Sequence, residues 1–113
     1  MSNFKLTAYR GDTIRLRVPV TRDDVAVNIT GATFRFMARQ WIGDSVPIIN
    51  KANSSFVSSS PVTGVTILTI LPVDTESLTD TTKLFCDVEM TETDGLVTTV
   101  AYGTLNVIAD LTR

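Results

Sequence analysis

Histidine is missing from this chain, and cysteine and tryptophan occur once each. Without histidine, the side chain most often used as general base, triad member or metal ligand is unavailable. With Cys86 alone, no intrachain disulfide can form. The fold must hold by packing, which suits synthesis in a reducing cytoplasm. No excess of basic charge is present either: Lys and Arg number 10 against 12 Asp and Glu, a net charge of −2. Nucleic-acid binders usually carry a basic excess, so a nucleic-acid partner is disfavoured. The cluster Arg10, Arg15, Arg17 and Arg22 is interleaved with Asp12, Asp23 and Asp24 and reads as a mixed solvated face. Apolar runs fall far short of the ~20 residues that span a bilayer, and residues 1–7 lack a signal-peptide core. Membrane insertion and export by a standard signal are therefore not expected. A long amphipathic helix is missing as well.

What remains is a β-rich pattern over 113 residues, 43% apolar and 19% charged. That length and composition predict one domain, 1–113. Phe4 to Tyr9 alternates, and Gly11-Asp12 breaks the run. Ile14, Leu16, Val18 and Val20 then share one face against Arg15, Arg17 and Pro19. Pro19 lacks a ladder donor, which predicts an edge or irregular strand. Arg22-Asp23-Asp24 forms a polar turn before an extended Val25–Ile29. From Ala32 to Arg39 the inward row is Phe34, Phe36 and Ala38. Trp41 to Ser45 reads as a loop, followed by a short strand over Val46–Asn50. Residues 53–61 form a Ser-rich segment read as a mobile loop around Phe56-Val57.

Val65 to Leu71 is a β-branched strand that Pro72 stops. A single helical turn is expected near 73–79, with Asp74 or Thr75 capping its free N–H groups. Along Lys83–Met90 the inward residues are Leu84, Cys86, Val88 and Met90. Asp94-Gly95 is a strong hairpin signal. The return arm from Leu96 to Ile108 would extend about 45 Å at ~3.4 Å per residue. That length predicts a bulge or kink at Gly103. Residues 109–113 form a polar tail. The turn spacing suits about seven or eight strands, hence an all-β, antiparallel, immunoglobulin-like β-sandwich. A Cys pair and a tyrosine corner, the marks of an antibody-type domain, are missing.

Chemistry is thin, so an enzyme is not expected. Cys86 lies on an apolar row, where a small buried thiol is favoured over a nucleophile. Asp87 and Glu89 point the same way, but no third ligand accompanies them, and neither a metal nor a cofactor is expected. Arg10-Gly11-Asp12 spells the tripeptide read by integrins, yet hairpin-turn chemistry explains it. Trp41 and Ile42 in their loop, with Tyr9 and Tyr102, are the candidate interface residues, because Trp is enriched at interface hot spots.

Leu6 to Thr13 with its alternating strand resembles the opening of small tail and baseplate proteins of bacteriophages and prophages. The resemblance continues through Val27–Phe36, Leu71–Thr75, Cys86–Met90 with Asp94-Gly95, and Gly103-Thr104-Leu105, and ends at Asp110–Arg113. It is nearest to the N-terminal domains of baseplate upper proteins and similar immunoglobulin-like virion domains. It implies a virion structural subunit in a tail, baseplate or neck, acting as an adaptor or decoration protein. Such a subunit would be made in the bacterial host cytoplasm and would contact other virion proteins as a homo-oligomer or ring. The competing expectation is a small module that recognises carbohydrate or a host-surface protein.

Overall fold

The computed structural model describes residues 2–43, 45–58, 60–78 and 80–109. The resemblance at Asp110–Arg113 and the end of the polar tail lie outside the described residues. Among those described, the alternating segments become ten strands. They are β1 (Ser2–Tyr9), β2 (Ile14–Pro19), β3 (Thr21–Arg22), β4 (Val25–Ala26), β5 (Thr33–Arg39), β6 (Ile49–Lys51), β7 (Phe56–Val57), β8 (Val65–Ile70), β9 (Thr82–Thr91) and β10 (Val97–Ile108). One helical turn, α1 (Pro72–Thr75), joins β8 to β9.

Five strands form one sheet in the order β1-β10-β9-β5-β6, and three form a second, β2-β8-β7. The inward rows of both sheets meet in one core. Phe34, Phe36, Leu84, Val88, Met90, Leu105 and Val107 come from the larger sheet, and Leu16, Val18, Phe56, Leu68 and Ile70 from the smaller. Phe34 and Phe56 stack across the gap, with ring centroids 5.4 Å apart and 30° between planes. Period-two alternation produces this arrangement directly, since each strand buries one face and wets the other. The inward rows expected on β2, β5 and β9 are all realised, and β2 lies at a sheet edge, where Pro19 needs no ladder donor.

Four expectations change. First, the pairing is not wholly antiparallel, because β1 runs parallel to β10, in register from Ser2 with Ala101 to Tyr9 with Ile108. Second, Gly103 is not the bulge. The register slips between Thr99 and Ala101 instead, and β10 is continuous past Gly103. Gly103 serves close approach: it pairs with Phe4, and a Cβ there would overlap the Phe4 carbonyl oxygen. Third, the strand expected over Val46–Asn50 begins only at Ile49, since β6 pairs β5 through Ile49, Asn50 and Lys51. Fourth, the Arg10-Gly11-Asp12 turn is not a hairpin. It carries the chain from β1 in one sheet to β2 in the other.

That crossing is tightly held. Arg10 N–H donates to Ile108 O at 2.9 Å, extending the β1–β10 ladder by one residue. Gly11 takes φ 82°, a left-handed conformation that glycine adopts freely. Its N–H donates to Thr75 Oγ1 at 2.9 Å, a buried bond between the turn and α1. The helical turn spans 72–75, starting one residue before the expected 73–79 window and ending well short of its far end, and Thr79 lies outside the described residues. Asp74 caps it by reaching back, its Oδ2 accepting Leu71 N–H at 2.8 Å. The same oxygen lies 2.9 Å from Lys51 Nζ, so β6 is tied to α1 by a largely buried ion pair.

The smaller turns follow their residues. Asp23 and Asp24, at φ 53° and 62°, close the two-residue β3–β4 loop, with Arg22 opposite Val25. Two consecutive positive φ angles define a type I′ turn. The β9–β10 hairpin closes at Thr93-Asp94-Gly95, where Gly95 N–H donates to Glu92 O at 2.9 Å. In the Ser-rich segment, Asn53–Ser55 forms a 3-10 turn and Phe56 enters the core. Ser58 Oγ donates to the buried Thr66 Oγ1 at 2.8 Å, and Ser59 lies outside the described residues.

Candidate functional site

β5 ends at Arg39, and the chain does not rejoin the sheet until Ile49. The residues between them include Trp41, Ile42 and Val46, whose exposures are 65%, 79% and 75%. Ile48 N–H donates to Ala38 O at 2.8 Å at the far end of this connection, while Trp41, Ile42 and Val46 lie outside any strand, so pleating does not sort their side chains between a core and a wet face. Gly43 sits at its tip in open space, and Asp44 lies outside the described residues. Three large apolar groups within six residues make this loop the densest exposed apolar segment among those described.

The other two candidates lie on the outer face of the larger sheet. Tyr9 ends β1 and is 54% exposed; Tyr102, in β10, is 46% exposed. The strand registers place Tyr9 and Trp41 at the same end of that sheet, three strands apart, or roughly 14 Å at ~4.8 Å per strand. Tyr102 is at mid-sheet instead, level with Asn3, Asp87 and Met37. Its hydroxyl lies 3.5 Å from Asn3 Nδ2. The structure therefore groups Trp41, Ile42 and Tyr9 at one end and leaves Tyr102 apart from them.

Two apolar residues on that outer face were not singled out from the sequence. Phe85 and Met37 are half-buried there, one row apart. Lys83 Nζ lies over the Phe85 ring, 5.5 Å from its centroid. The signal was present: Phe85 occupies a wet position between Lys83 and Asp87 in an otherwise clean alternation. Val46 carries no such signal, because its run with Pro47, Ile48 and Ile49 reads as a strand.

Cys86 is buried in β9, and its thiol is pushed up to about 12, first by burial and then by the neighbouring Asp87 charge. A thiol so protonated is a poor nucleophile. Asp87 and Glu89 do project together from β9, but Glu89 faces Arg35 and Thr99 across the sheet. Among the described residues, no group of three His, Cys, Asp or Glu side chains is placed to hold a metal ion. An open recess of ≈ 420 Å³ beside Arg35 and Glu89 is lined in part by Asn53, whose Oδ1 already accepts Phe34 N–H at 3.1 Å. No helix among the described residues is long and apolar enough to cross a membrane. No model of a known protein family matches this sequence, and no curated protein matches it.

Proposed function

We propose that this chain is a non-enzymatic structural subunit of a bacteriophage particle, in a tail, baseplate or neck, acting through protein–protein interfaces. The observation that carries this reading is the β5–β6 loop, which presents Trp41, Ile42 and Val46 outward instead of folding them over the core. Water-exposed aromatic and aliphatic groups gathered on one loop are costly unless a partner covers them. Trp is also the residue most enriched among interface hot spots.

The strand order supports an immunoglobulin-like sandwich. Lettered in that scheme, β2-β8-β7 follow B-E-D and β10-β9-β5 follow G-F-C, with β6 at the C′ position. The departures are specific. β1 joins β10 rather than the B-E-D sheet, and Leu84 stands where a tyrosine corner would place Tyr. A lone Cys86 takes the place of the inter-sheet disulfide. A sandwich of this kind presents two sheet faces and exposed strand edges on which a partner can dock.

The second reading, a module that recognises carbohydrate or a host-surface protein, draws on the same Trp41, since an exposed indole is also a stacking platform. Particles purified from the source bacterium after prophage induction, analysed by quantitative mass spectrometry, test the first reading. The chain is expected at a fixed copy number per particle. Its exclusion from particles, together with glycan-array binding lost in Trp41→Ala, would replace assembly by recognition.

A further inference from the structure

The two sheets are unequal in width, and the difference leaves one flank open. Phe34 of β5 stacks on Phe56 of β7, and β2 approaches β10 and β1. The strands β7, β8 and β2 therefore lie over β5, β9 and β10 in turn. Among the described residues, no strand of the smaller sheet lies beyond β2 to cover β1. Burial records the gap. On the inner row of β10, Ala101, Leu105 and Val107 are at most 1% exposed. Phe4, Leu6 and Ala8, paired beside that row on β1, are only partly buried.

The same gap is bordered by a free strand edge. Val20 N–H donates to Gly64 O at 2.6 Å, which fixes the phase of the β2–β8 ladder. Ile14, Leu16 and Val18 then turn their backbone groups toward β8, and Arg15 and Arg17 turn theirs away from it. Among the described residues, no other strand pairs with β2. The Arg15 and Arg17 side chains are exposed on the outer face, and they are the only charged residues in the three strands of this sheet. Neither is in an ion pair among the described residues.

We propose that this slot takes one extended segment of a different protein, with acidic residues at alternate positions and apolar residues between them. The segment adds a fourth strand to the smaller sheet, paired with the backbone of Arg15 and Arg17. Its apolar row covers Phe4, Leu6 and Ala8. Its carboxylates stand beside the two guanidinium groups, because residues paired across strands share a face. A second copy presenting its own β2 is rejected by charge. Antiparallel registers that keep the apolar rows inward and overlap most of the strand place arginine opposite arginine. Charged residues and proline on an edge are also a device against self-pairing. That device accounts for Arg15, Arg17 and Pro19, but not for the uncovered row on β1. The slot lies at the opposite flank of the larger sheet from the Trp41 loop, and it does not depend on the partner being a particle protein.

Hydrogen exchange and shift mapping by NMR on the purified chain test it. The probe is a short capped peptide of alternating valine and glutamate, with the valine–lysine peptide as its counterpart. In the free chain the Arg15 and Arg17 amides should exchange readily while those of Leu16 and Val18 are protected. The glutamate peptide should slow exchange at Arg15 and Arg17 and shift the Leu6 and Ala8 methyl signals. The lysine peptide should bind at least about tenfold more weakly, and Arg15→Glu/Arg17→Glu should invert that preference. Arg15 and Arg17 amides already protected in the dilute free chain would overturn the proposal. So would equal binding of the two peptides, or no response to the glutamate peptide up to about 1 mM. Protection that appears only as the chain's own concentration rises would assign the edge to a second copy instead, which also overturns it.

Discussion

Thr75 Oγ1 accepts the Gly11 N–H at 2.9 Å, joining residues 64 positions apart at the point where the chain changes sheets. Both ends of this bond are buried, so neither can exchange its partner for water. Thr75→Val keeps the shape and removes the acceptor, which strands a buried N–H. It is expected to cost about 1–3 kcal/mol in urea unfolding, while Thr75→Ser recovers most of the loss. Equal stability in the Val variant would show that the Arg10–Asp12 crossing does not depend on α1.

Gly103 lies directly against the Phe4 backbone. Gly103→Ala would drive a methyl group into the Phe4 carbonyl oxygen, and two paired backbones have little room to separate. The expected result is a loss of about 1–3 kcal/mol and selective loss of amide protection along β1. Protection in β9 should persist, because its ladder to β5 does not involve β1.

Asp23 and Asp24 hold positive φ angles that an L-residue adopts only at a cost. Asp24→Gly relieves the second of them at the position where type I′ turns favour glycine. Stability should rise by up to about 1 kcal/mol, partly offset by the greater chain entropy of glycine. Thermal unfolding of the single variant checks this, since the loop makes no contribution to the core.

Cys86 gives a pH signature. Burial, and after it the Asp87 charge, lift the folded thiol from 9.0 to about 12. The folded state then holds the proton more tightly than the unfolded chain. This contribution is intact below about pH 9 and is lost as pH rises from there toward 12. The difference in unfolding free energy between wild type and Cys86→Ala should therefore be flat below pH 9 and shrink above it. Thiol reagents should label Cys86 only at the rate at which the protein opens.

Much of this fold is readable from period-two alternation, because each strand has one buried and one wet face. The rows Phe34, Phe36, Ala38 and Leu84, Cys86, Val88, Met90 needed nothing further. Alternation fixes a face but not a neighbour, so the parallel partnership of β1 with β10 was hidden. The role of Gly103 was hidden with it, since the need for a missing Cβ arises only once Phe4 is beside it. Val46 and Ile48 have strand-favouring side chains, yet the β5–β6 ladder engages only Phe36, Met37 and Ala38 on the β5 side. Propensity alone could not show where that pairing stops. Of the candidate interface residues, Trp41 and Ile42 were legible as a loop pair. Their grouping with Tyr9 required the sheet order.

The account rests on the apolar loop after β5 being an assembly contact. Particles produced with wild-type or Trp41→Ala/Ile42→Ser chain, separated by density gradient and quantified for this protein, test that most directly. The double variant should still fold, as a cooperative unfolding transition checks, while remaining in the unassembled fraction, and the wild type should migrate with the particle. Equal incorporation of the two, or a wild-type chain found only outside the particle, would contradict it.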